Sequence, residues 1–64
     1  MNVLVLTDPL GNEIYINPEH VSHVQKVHGD LHPVTTKAIV HFVDGSTQSV
    51  QETAGAVCFR MLEL

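Results

Sequence analysis

Apolar and polar positions alternate along most of this chain with a period near two, the mark of half-buried strands. Asn2–Thr7 (NVLVLT) is aliphatic and runs into Asp8-Pro9-Leu10-Gly11-Asn12, a cluster of turn residues. Glu13–Asn17 (EIYIN) places Ile14 and Ile16 on one face and Tyr15 on the other, so the two segments read as a hairpin. Asn17-Pro18-Glu19-His20 follows, with Asn as a cap and Pro at a first helical position, which predicts one helical turn over Pro18–His20. Val21, Val24 and Val27 then recur every third residue, a spacing that suits a helix. All three are valines, stiff at χ1 and at home in strands. A strand over about Val21–His28 is preferred, with a helix as the alternative. Gly29–Val34 reads as a loop and Thr35–Val43 (TTKAIVHFV) as the strongest strand. Ala38, Val40 and Phe42 share one face of it; Ile39, His41 and Val43 share the other. Asp44-Gly45 predicts a tight hairpin of type I′, with Ser46–Val50 as the return strand.

The period changes at the C-terminus. Ala54, Val57, Cys58, Met61 and Leu62 fall at helical spacing, and Thr53 stands where an N-cap belongs. A helix this short is unstable alone and must pack on the sheet. The expected fold is therefore mostly β within the α+β class. Five short strands form a small antiparallel sheet or open barrel, with one C-terminal helix on it, as a single domain over 1–64.

Size alters what such a fold requires. With 64 residues, a single core rarely supplies more than about 3–5 kcal/mol without a disulfide, a metal or a partner chain. The lone Cys58 cannot form an internal disulfide. Sheet edges left open also favour pairing between chains, and together these point to a homo-oligomer. The apolar run Val3–Leu6 is four residues long, too short for a signal peptide or a membrane span. A cytoplasmic protein without membrane attachment is expected, and a free thiol suits that compartment.

Charge removes one class of partner. Lys26, Lys37 and Arg60 are the only Lys and Arg, against seven acids and a net charge of −4. Nucleic-acid binding depends on clustered cations that neutralise phosphates, so no direct nucleic-acid contact is expected.

The chemistry-bearing residues are scattered. His20, His23, His28, His32 and His41 are the conspicuous set. Zinc needs three or four converging ligands, yet Gly29 and Pro33 oppose a helix that would bring His28 and His32 to one face. His20, His23, His28 and His32 are the candidate metal ligands, but surface histidines are the expected reading and no cofactor is expected. His41 lies mid-strand, where a cross-strand partner is its expected role. Cys58 sits on the apolar helix stripe and reads as a small hydrophobe. Asp8 and Asp44 are explained by turns and Glu52 by the following helix dipole. No nucleophile–base or phosphate-cradling motif is present, so the chain is not expected to be an enzyme. Phe59, off the apolar stripe, joins Tyr15 and His41 as candidate interface residues.

Several short motifs occur together: Leu6-Thr7 before Gly11, then Ile14-Tyr15-Ile16-Asn17-Pro18 with Val21 and Val24, then Ile39, Phe42 and Asp44-Gly45, and finally Val50, Glu52 and Thr53 before a terminal helix. In this order they resemble the small FlbD-type flagellar proteins, and the likeness covers most of the chain. It implies a small β-rich accessory protein of bacterial or phage origin, and the matched positions are turn and core residues. The combined expectation is a non-catalytic interaction or regulatory module that self-associates and binds a protein partner. The alternative is a homo-oligomer that binds a small ligand or metal at subunit interfaces.

Overall fold

A computed structural model describes residues 2–27 and 35–64. Among the described residues, five strands and one helix occur in the expected order: β1 (Leu4–Thr7), β2 (Glu13–Ile16), a 3-10 turn (Pro18–His20), β3 (Val21–Lys26), β4 (Ala38–Phe42), β5 (Thr47–Val50) and α1 (Ala54–Leu62). The strands divide into two antiparallel sheets, β1-β2 and β3-β4-β5, and do not close into a barrel. The expected strand end at His28, the loop Gly29–Val34 and His32 lie outside the described residues. The strand expected over Thr35–Val43 is confined to Ala38–Phe42, because Val43 has already entered the turn.

The valines spaced by three are explained by an irregularity rather than by a helix. Val21 opposes Phe42 and His23 opposes His41, so two steps along β3 match one along β4. Ser22 is the extra residue, a β-bulge. It shifts the alternation by one, and both Val21 and Val24 then pack on the core side.

The two hairpins use one turn design. In the first, the Gly11 N–H donates to the Asp8 carbonyl (3.0 Å) and the Asp8 N–H to the Asn12 carbonyl (2.9 Å). In the second, the Gly45 N–H donates to the Phe42 carbonyl (3.0 Å) and the Phe42 N–H to the Ser46 carbonyl (2.9 Å). The glycines have φ of 93° and 92°, and no non-glycine residue among the described residues has positive φ. A type I′ turn needs two such residues, so the expectation for Asp44-Gly45 is corrected. Each loop has three residues, with the glycine taking the left-handed position that forms a bulge. Asp8 and Asp44 brace these loops. The Asp8 carboxylate accepts from the Leu10 and Asn12 N–H groups, and that of Asp44 from the N–H and hydroxyl of Ser46.

The core is built from Leu4, Leu6, Ile16, Ala38, Val40, Val50 and Val57, all buried. Ile14, Val21, Val24, Phe42, Ala54 and Met61 pack around it. Thr53 caps α1 as expected, its hydroxyl accepting from the Ala56 N–H at 3.2 Å. The helix stripe is narrower than its spacing suggests. Ala54, Val57 and Met61 face the sheets, whereas Cys58 and Leu62 are exposed. The sheets offer too little surface to cover a wider stripe, so Cys58 is not a core hydrophobe.

Candidate functional site

These two sheets have four strand edges; that of β5 is polar, with Thr47, Gln48 and Ser49 along it, and the differences among the other three locate the site. Across the first hairpin, Leu4 opposes Ile16 and Leu6 opposes Ile14, in the same register as the hydrogen-bonded pair Asp8 and Asn12. Antiparallel pairs alternate between bonded and non-bonded positions. The backbone groups of Val5 and Thr7 therefore point away from β2, and those of Glu13 and Tyr15 point away from β1.

On the β1 side three of these four groups have partners. The Thr7 N–H donates to Glu52 Oε1 (2.9 Å) and the Thr7 hydroxyl to Glu52 Oε2 (2.9 Å). The Gln51 N–H donates to the Thr7 carbonyl (2.8 Å), and Arg60 Nη1 to the Val5 carbonyl (2.8 Å). Arg60 also pairs with Glu52 at 3.5 Å. Burial pushes the Glu52 carboxyl up, but the two bonds from Thr7, helped by Arg60, outweigh it and hold the carboxyl below its ordinary value. Glu52 thus occupies the β1 edge, a long-range structural role beyond its expected place at the start of the helix. The β3 edge carries the bulge at Ser22 and the charge of Lys26, two devices that discourage further pairing.

The β2 edge has neither. Among the described residues no backbone group bonds to the amides of Glu13 or Tyr15 on that side. Alongside β2 lies a groove of about 440 Å3, bounded by Tyr15, Ile16 and Asn17 on one wall and by Phe42, Val43, Asp44 and Ser46 on the other, with His20 at its end. The fold holds these walls together through a bond from the Val43 N–H to the His20 carbonyl (2.8 Å). Its rim is apolar and open: Tyr15 is 69% exposed and Val43 68%. On the outer face of the hairpin, Val5 stands directly across from Tyr15. Val5 also lines a second depression with Val3, Arg60 and Leu64. One apolar band therefore runs from Val43 through Tyr15 and Val5 to Val3 and Leu64.

The expected interface residues occupy three different surfaces. Tyr15 belongs to the groove. Phe59 is 64% exposed on the outward side of α1, beside exposed Cys58 and Leu62. His41 is on the outer face of the three-stranded sheet, and its partners there are His23 and Gln25. Of the candidate metal ligands, His20 lies at the groove and His23 on β3, so these two do not converge. His28 and His32 are outside the described residues. Among the described residues, no group of three or more His, Cys, Asp or Glu side chains is arranged to hold a metal ion. Sequence reasoning missed Val43 and Val5. An apolar residue in a hairpin loop, where polar residues are usual, was the available signal for Val43; Val5 becomes visible only once the register with Tyr15 is known.

Among the described residues no helix is long and apolar enough to cross a membrane. Comparison with family models, with curated proteins and with solved structures gives no match to this chain.

Proposed function

We propose that this protein is a small non-catalytic interaction module that self-associates and binds a protein partner, acting as an accessory or regulatory factor. The observation that carries this reading is the bare β2 edge beside an apolar groove, in a molecule whose β1 edge is largely bonded and whose β3 edge is distorted by a bulge. An exposed edge accepts an extended segment by main-chain hydrogen bonds, while flanking pockets select its side chains. The simplest such segment is β2 of a second copy, paired antiparallel about a two-fold axis so that both partners use the same surface. A standard interface takes about 800 Å2 from each partner, roughly a fifth of the 4357 Å2 exposed here. The apolar band around Tyr15 supplies the non-directional part of the attraction. The likeness to FlbD-type proteins and the exposed thiol of Cys58 support an accessory role in a reducing, cytoplasmic setting.

Tyr15→Lys is expected to weaken self-association at least tenfold and to leave the monomer folded, because the Tyr15 side chain is exposed. Sedimentation velocity over a concentration series, with circular dichroism as the folding control, measures both effects. Unchanged association in a folded Tyr15→Lys protein counts against this surface.

A further inference from the structure

We propose that His23 and His41 form a two-histidine site for a divalent transition-metal ion of the zinc and copper class. The two residues are directly opposed on β3 and β4. Their rings stack with centroids 4.2 Å apart and planes 11° from parallel. Two metal–nitrogen bonds of about 2.0–2.1 Å at a tetrahedral angle need nitrogens about 3.3 Å apart; the stacked rings hold their in-plane lone pairs side by side, so at least one ring turns out of the stack when the ion binds.

The surroundings favour a ligand role. His41 Nε2 lies 2.9 Å from Gln25 Oε1. That oxygen can only accept, so Nε2 carries the proton and Nδ1 keeps its lone pair for a metal. Metal-binding histidines characteristically donate the second ring N–H to an oxygen, which fixes the tautomer and raises ligand basicity. His23 Nδ1 is 3.3 Å from the Ser22 hydroxyl on the bulge. Thr47 follows His41 across the sheet, Ile39 and Gln25 are the adjacent opposed pair, and no Lys or Arg occupies these outward positions. The nearest cation in step with His41 on that face is Lys37, beyond Ile39. Two protein ligands are fewer than the three or four of a tight zinc site, so water or a further ligand completes the coordination and the expected affinity is modest. This site is on a different sheet from the β2 edge and does not depend on self-association.

The test is calorimetric titration of the full chain with Zn2+ and with Cu2+ alone, at a pH where imidazole is neutral. One ion per chain is expected, with Cu2+ tighter than Zn2+ as the usual divalent order requires. His23→Ala and His41→Ala should each weaken binding at least tenfold, and Gln25→Leu about tenfold through loss of the supporting bond. A His28→Ala/His32→Ala double variant should bind as the parent does, and so should Tyr15→Lys. The proposal is overturned if neither ion binds, if binding survives both single histidine variants, or if it disappears with His28 and His32. Circular dichroism of each variant separates loss of a ligand from loss of the fold.

Discussion

Leu6→Ala should cost about 3 kcal/mol and remove most of the protein's stability. Leu6 is 1% exposed and belongs to the central cluster. Its removal forfeits the transfer free energy of the deleted methyl groups and opens a cavity that short, hydrogen-bonded strands cannot collapse around. The effect is large in proportion because a core of this size supplies only about 3–5 kcal/mol. Urea denaturation followed by circular dichroism measures the loss. Tyr15→Ala, from the exposed face of the same hairpin, should change monomer stability little. If both variants unfold at the same urea concentration, the two-sided assignment of the hairpin is wrong.

Glu52→Ala should be the next most damaging change, at about 2–3 kcal/mol. The Glu52 side chain is 13% exposed and accepts two bonds from Thr7. Hydrogen bonds to charged groups contribute about 1.5–3 kcal/mol, and an orphaned, partly buried N–H costs a further fraction. The Arg60 pair adds little because the Arg60 side chain is 49% exposed. The same carboxylate gives a pH signature. Its pKa is lowered in the folded state, so the unfolded chain binds the proton more readily. The stabilisation is complete above the ordinary glutamate value of about 4.3 and is lost as pH falls through the lowered folded value. Asp8 and Asp44 are also lowered, Asp8 chiefly by the Asn12 backbone N–H and Asp44 chiefly by the Ser46 hydroxyl. They act in the same direction and the same acid window. The parent protein should therefore lose stability on acidification below about pH 4.3, and Glu52→Ala should show a shallower loss. Denaturation midpoints at a series of pH values between about 3 and 7 would show it, and equal slopes in parent and variant would contradict the role of Glu52.

Much of this fold can be read from local pattern, because burial on one side of a strand or helix imposes its period on the sequence. The alternation in EIYIN places Ile14 and Ile16 inward and Tyr15 outward, as observed. Thr53 and Asn17 are capping residues that act within a few residues of themselves. The errors have physical causes of a different kind. A bulge at Ser22 produces a spacing of three inside a strand and mimics a helix. Asp-Gly serves both a type I′ turn and a three-residue loop with a glycine bulge, so the dipeptide alone does not choose between them. The helix stripe was read too wide because a sequence shows which residues are apolar but not how much surface awaits them. The sites depend on long-range register. Glu52 meets Thr7 across 45 residues, and His23 meets His41 only because β3 and β4 pair in one particular register. Nothing within either segment encodes that meeting. The largely bonded edge of β1 and the bare edge of β2 likewise emerge only when three distant segments are assembled.

The proposal that the bare β2 edge joins copies of this chain is the most consequential one, and its most direct measurement is the solution mass of the unmodified protein. Sedimentation equilibrium at micromolar concentrations should give a concentration-dependent species at a multiple of the 7.0 kDa chain mass. Amide hydrogen exchange should be slowed at Glu13 and Tyr15 in that species. A mass that stays at 7.0 kDa throughout, with rapid exchange at both amides, would contradict it.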